Sequence, residues 1–102
     1  MATPLRIHRL AQQEIDHTLR WYAKRSLGIA FRLRDLIRDG LKTITETPES
    51  WAAFHGAVRA YKIKGFPYLL VYALEESQIF LIAFQHTSRR PGYWNKRWKQ
   101  SG

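Results

Sequence analysis

The last quarter of the chain holds most of the residues that could do chemistry. His86, Arg89, Arg90, Tyr93, Trp94, Lys96, Arg97, Trp98 and Lys99 follow one another there, and no acidic residue occurs beyond Glu76. Two adjacent guanidinium groups at Arg89 and Arg90, close to Tyr93 and Trp94, suit recognition of a phosphate or carboxylate with stacking on a ring. Upstream, Arg59, Lys62 and Lys64 add three cations within six residues. Metal-free cleavage of RNA needs a base to activate a 2′-hydroxyl, cations to hold the developing charge and an acid for the leaving oxygen. Arg59, His86 and Tyr93 are of the right types for that work. Each of these residues also has a plain structural use: His86 can satisfy a backbone group, and Lys62 and Lys64 can protect a strand edge. No Gly-rich phosphate loop, no His-x-x-x-His pair and no acidic cluster with metal-ligand spacing is present, so neither a cofactor nor a metal is expected.

The elements that must position these groups follow from periodicity. Leu5 and Ile7 alternate with Arg6 and His8, so Pro4 to Arg9 is expected to form a half-buried strand. Ala11, Ile15, Leu19 and Tyr22 recur at helical spacing and predict a helix over 11–25. A second helical pattern runs through Leu33, Ile37, Leu41 and Ile44 until Pro48 forbids continuation. With only Ser26, Leu27 and Gly28 between them, the two should pair as an antiparallel hairpin. Residues 48–56 read as a loop carrying Trp51 and Phe54.

The period then changes to strand. Over 59–64, Tyr61 and Ile63 face one way and the basic Lys62 and Lys64 the other, and strand neighbours could bring Lys62 and His86 towards one patch. Gly65-Phe66-Pro67 makes a turn. Tyr68–Leu74 and Ile79–Phe84, both apolar, read as central strands joined through Glu75-Glu76-Ser77. The order strand, helix, helix, strand, strand, strand is α+β, with a helical hairpin packed on a mostly antiparallel sheet. Strands apolar on both faces need cover on both. Two helices cover one, so the aromatic tail, about 87–102, or a partner chain should close part of the other. Trp94 and Trp98, four apart, can present one helical face to the core. Trp21 and Tyr22 cannot share a face, so one packs inward and the other stays partly exposed or is covered by a partner chain.

Composition sets the outer bounds. At 102 residues, 45% of them hydrophobic, there is room for a single domain with one core. A net charge of +9 favours a polyanionic surface or an acidic protein as partner. Without cysteine, no disulfide or thiolate metal site holds the fold. Arg6, His8 and Arg9 interrupt what would be a leader's apolar region, and no later apolar run reaches membrane-spanning length. A soluble, cytoplasmic protein without a membrane partner is the expectation.

The element order, with Gly65-Phe66-Pro67-Tyr68-Leu69-Leu70-Val71-Tyr72 entering one strand and His86-Thr87-Ser88-Arg89-Arg90-Pro91-Gly92-Tyr93-Trp94 following the next, resembles the RelE/ParE toxins of type II toxin–antitoxin systems. Ala11, Glu14, Ile15, Trp21 and Tyr22, Pro48, and Gly56 with Val58 and Arg59 add to the likeness, which spans about Leu5 to Arg97. The resemblance implies a growth-inhibiting toxin of plasmid-stabilisation type, neutralised by an acidic cognate antitoxin. An incompletely covered apolar sheet with a net positive charge agrees independently, because an acidic, partly disordered segment would bind it. Two chemistries occur on this scaffold, and fold cannot choose between them. ParE-like members block DNA gyrase; RelE-like members cleave mRNA on the ribosome. For the nuclease the catalytic residues here would be His86, Arg59 and Tyr93. For target or nucleic-acid binding they would be Lys62, Lys64, Arg89, Arg90, Trp94 and Arg97. Nuclease-type members usually carry an arginine directly before Leu-Val-Tyr, where this chain has Leu69, and that departure favours the ParE-like, non-nucleolytic reading. A basic nucleic-acid-binding module without toxicity is the third alternative.

Overall fold

The computed structural model describes residues 3–55 and 57–99. Gly56, to which the family likeness partly appealed, and the last residues of the basic tail, 100–102, lie outside them. Five strands and three helices follow in the order β1 (Leu5–Ile7), α1 (Arg9–Ala23), α2 (Leu27–Glu46), β2 (Ala53–His55), β3 (Val58–Lys62), β4 (Tyr68–Leu74), β5 (Ile79–His86) and α3 (Asn95–Lys99). The sheet order is β1-β5-β4-β3-β2. Every strand pair is antiparallel except β1 with β5, which is parallel. The α+β class and the antiparallel bias are as the periodicity predicts. One short element is an addition, β2 inside the expected loop, while α3 gives the tail the helical turn that the Trp94–Trp98 spacing allows.

Local chemistry sets the helix limits. His8 caps α1 by accepting from the Leu10 N–H at 3.0 Å, and Ser26 caps α2 by accepting from Ile29 at 3.3 Å. The second helix stops at Thr47, immediately before Pro48. It packs tightly on the sheet at Gly40, where an added Cβ would stand 2.9 Å from Tyr61 Cε1 and 3.0 Å from Leu70 Cδ1. Only a residue without a side chain lets the helix settle there. Gly65, with φ near 80°, turns the chain between β3 and β4.

The core lies in two layers. Ala11, Ile15, Leu33, Ile37 and Ile44 of the hairpin pack on Leu70, Tyr72, Ile79, Leu81 and Phe84. On the opposite face Val71, Ala73, Phe80, Ile82 and Ala83 are covered by Trp94, with Phe54, Tyr93 and Trp98 around it. The tail therefore closes the second face, as the apolar character of β4 and β5 requires. Ile82 and Ala83 are consecutive yet lie on the same face. The cause is a β-bulge: Val71 pairs with Ala83 and Tyr72 with Leu81, so Ile82 has no opposite residue.

Candidate functional site

That bulge re-aims the edge of β5 where its neighbour ends. β1 stops at Ile7, and the His8 N–H makes a last bond to the Leu81 carbonyl at 2.9 Å. Beyond it the ladder is continued by side chains. The Phe84 N–H donates to Glu14 Oε1 at 3.0 Å, and Arg97 Nη1 donates to the Ile82 carbonyl at 3.2 Å. Glu14 and Arg97 are themselves joined by two parallel bonds of 2.9 Å, Nη1 to Oε1 and Nη2 to Oε2. The pair is largely enclosed, with side-chain exposures of 19% and 13%. A two-point guanidinium–carboxylate contact that also satisfies two strand groups meets the conditions under which a buried ion pair holds together.

Tyr93 completes this knot. Its hydroxyl donates to Glu14 Oε2 at 3.0 Å, and the Arg89 guanidinium lies over its ring at 3.4 Å. Burial first, then the Glu14 charge, push the Tyr93 hydroxyl well above the usual phenol value, so it stays protonated and neutral. Arg89 also approaches Glu14, at 3.9 Å, but remains half exposed. One carboxylate thus serves two guanidinium groups, leaving a local excess of positive charge. The tail is pinned a second time by Gln85, which among the described residues is the one buried polar side chain of Asn, Gln or charged type. Gln85 accepts from Trp94 Nε1 at 2.8 Å and donates to the Arg89 carbonyl at 2.9 Å.

Tyr93, Arg89 and Arg97 are thus brought together, around Glu14. His86 lies near them, at the end of β5, where its Nδ1 accepts from the Ser88 N–H at 3.0 Å. Trp94 is fully buried, so it packs as a core residue and offers no surface to a target in this state. Arg59 stands apart. It pairs across the sheet with Tyr72, whereas His86 pairs with Tyr68 from the other side of β4, so the two are offset by about 13 Å along the strand direction and by two strand spacings across it. Its guanidinium donates to the Trp51 carbonyl at 2.6 Å and the Glu49 carbonyl at 3.1 Å, tying down the loop after α2. Tyr72 does the same through Pro48, its hydroxyl pushed up to about 12 by burial.

The expected meeting of Lys62 with His86 is corrected by the register. Lys62 pairs with Leu69 and Leu69 with Gln85, whereas His86 pairs with Tyr68, so the two side chains project from opposite faces. Lys62 Nζ instead holds the turn through the carbonyls of Ile63 at 2.8 Å and Phe66 at 2.6 Å. Lys64 falls in that turn rather than in β3 and is exposed, as is Arg90. Among the described residues neither has an acidic partner, and no group of His, Asp and Glu could hold a metal ion.

Three features escaped the sequence reading: Glu14 as the hub of the tail, Gln85 as its anchor, and an exposed apolar strip on the hairpin. A polar Gln85 within an otherwise apolar strand was the available signal for the second. Glu14, three residues from Ala11 in a helix, could have been placed beside the apolar stripe by the same spacing that found the stripe. The strip comprises Leu27 and Phe31, one turn apart on α2 and 62% and 52% exposed, with Arg34 beside Phe31.

A helical hairpin on one sheet face, an aromatic tail locked over the other and a cationic edge between them define the class of small α+β toxin scaffolds that the sequence resembles. A family profile described as the ParE toxin of the type II toxin–antitoxin system parDE matches residues 5–91. The chain belongs to that family. A solved structure described as the chromosomal ParDE toxin–antitoxin system from P. aeruginosa superposes with a TM-score of 0.72 at 15% identity, covering 85% of this chain and 98% of that one. At that identity the likeness concerns the fold. No curated protein matches the sequence.

Proposed function

We propose that this ParE-family protein arrests bacterial growth by binding DNA gyrase without cleaving nucleic acid, and that an acidic cognate antitoxin neutralises it in the cytoplasm. The observation that carries the non-nucleolytic part is where the sheet's cations are spent. Leu69 packs in the apolar layer beneath the tail, Lys62 holds turn carbonyls and Arg59 holds loop carbonyls. Phosphoryl transfer without a metal depends on preorganised cations at the reacting phosphate. Lys62 and Leu69 lie on one face of the sheet and Arg59 on the other, each cation already serving the backbone, so neither face gathers the free strand cations that such a reaction uses.

The antitoxin reading is supported by the hairpin strip. Leu27 and Phe31 are exposed on the helix face that also carries Arg34 and Arg38, two arginines that share the single acid Asp35. An amphipathic acidic segment would bury the apolar side chains and pair the arginines together. No helix among the described residues is long and apolar enough to cross a membrane.

The test is a pair of assays on purified protein. Supercoiling by gyrase should fall with added toxin, and mRNA on programmed ribosomes should remain uncut. Full supercoiling at saturating toxin, or codon-positioned cuts, would reject the reading in favour of no target or of the ribosome. Arg89 and Arg90 are the proposed contacts for the target, being the exposed guanidinium pair of the tail.

A further inference from the structure

Two adjoining clefts run between α1 and the ends of β4 and β5, of about 300 and 330 Å³. They share His17, Thr18, Tyr68 and His86, and so form one trough with two unlike ends. One end is cationic, with Arg89 and the Glu14–Arg97 pair. The other is aromatic, with Trp21 and Tyr22. We infer that this trough binds a nucleotide, its base against the Trp21–Tyr22 end and its phosphate between His17, His86 and Arg89, either as a free nucleotide or as one unit of a single strand.

The chemistry at each end supports the assignment. Trp21 is 46% exposed although Arg25 already covers it at 3.6 Å, which makes a cation-backed ring on which a base can stack. Tyr68 forms the floor, stacked on Phe84 with 4.8 Å between centroids and held edge-on by Tyr22 and His86. Burial, and then its hydrogen bond with Tyr22, push the Tyr68 hydroxyl up to about 12, so the floor carries no charge to repel an anion. At the cationic end Glu14 is the sole acid, and it is occupied by Arg97. Arg89 is half exposed and tied to Glu14 only at 3.9 Å. Because His86 Nδ1 accepts from Ser88, the hydrogen-bond network assigns the ring proton to Nε2, where it is a donor. His17, exposed on α1, supplies a second imidazole. A cationic end beside a ring end fits a base with one phosphate better than an acidic peptide, which would use cations along its whole length.

The inference does not rest on the gyrase reading, since it concerns direct binding by the isolated chain. The probes are adenosine 5′-monophosphate, adenosine, inorganic phosphate, a short oligodeoxyadenylate and an oligoglutamate peptide, read by the imidazole NMR signals of His17 and His86 and by tryptophan fluorescence. The monophosphate is expected to shift both histidines, to quench fluorescence in wild type but not in Trp21→Phe, and to bind about tenfold or more tighter than adenosine or phosphate alone. The double variant His17→Ala with His86→Ala should weaken it by about tenfold or more without lowering the melting temperature. Equal affinity for oligonucleotide and mononucleotide assigns a free nucleotide; tighter, salt-dependent binding of the oligonucleotide assigns a strand. Silence of both histidines with either nucleotide probe at millimolar concentration, unchanged affinity in the double variant, or equal binding of oligoglutamate would overturn the inference.

Discussion

The end of β5 and the outer face of the helical hairpin are built from similar residue types and use them in opposite ways. At the β5 end, arginine, tyrosine and glutamate satisfy one another and the strand backbone, so charge there is structural. On the hairpin, arginines flank exposed leucine and phenylalanine without burying them. Charge type therefore says little about role; what matters is whether the local groups are already paired. The Glu14–Arg97–Tyr93 knot holds the protein together, whereas the hairpin surface, like the half-exposed Arg89 at the rim of the knot, is left for a partner.

The comparison is broken most directly at Glu14. Replacing it with alanine strands a buried guanidinium, the Phe84 N–H and the Tyr93 hydroxyl at once, and breaking such a pair costs about 3–5 kcal/mol. For a domain of this size that is a fall in melting temperature on the order of 10–20 °C or more. Adding Arg97→Met to Glu14→Ala should recover part of the loss by removing the unpaired charge. If Glu14→Ala melted within a degree or two of wild type, the β5 end would be no more structural than the hairpin surface.

The second expectation concerns the hairpin itself. Leu27→Ser with Phe31→Ser should leave stability within a few degrees, because more than half of each residue is already exposed, while antitoxin affinity falls by about thirtyfold or more, the scale of a lost apolar anchor. Calorimetric unfolding and titration of the complex read the two effects separately. Unchanged affinity would move the antitoxin to another surface.

Much of this architecture was legible in the sequence, for physical reasons. Helical spacing at Ala11, Ile15, Leu33 and Ile37 reports burial directly, and unbroken apolar runs in β4 and β5 report cover on both faces, including the tail's return. The site was less legible because register decides it. Whether Lys62 meets His86 depends on one residue of pairing, and the bulge at Ile82, which turns the Phe84 N–H towards Glu14, leaves no mark in an apolar run. Arg59 looks like a catalytic cation in a list of residue types; only its two carbonyl partners show that it is a loop tie.

A third, smaller effect separates target contact from scaffold within the tail. Arg89→Ala with Arg90→Ala should cost no more than about 1 kcal/mol, since the 3.9 Å contact to Glu14 is a half-exposed ion pair, yet should clearly weaken growth inhibition on induction without antitoxin. A loss of toxicity matched by an equal loss of melting temperature would place both arginines with the structural group.

The smallest expected effect lies at His8, where the two regions adjoin through α1. Burial first, then Arg97, Arg9 and Arg6, hold the imidazole below its ordinary value of 6.5, with Glu14 opposing weakly. The ring is also the helix cap, and Nδ1 must be unprotonated to accept from Leu10. In the unfolded chain His8 takes its proton at higher pH than in the folded one, so the unfolded state binds more protons as pH falls. Stability is therefore fully present above about pH 7, and this contribution is lost on acidification through 6.5 towards the lower folded value. His8→Asn keeps a capping acceptor and removes the titration. The melting temperature of wild type should drop more between pH 7 and 5 than that of the variant, by a few degrees. Parallel curves would mean that the cap tolerates the proton and that the acid response belongs to other histidines.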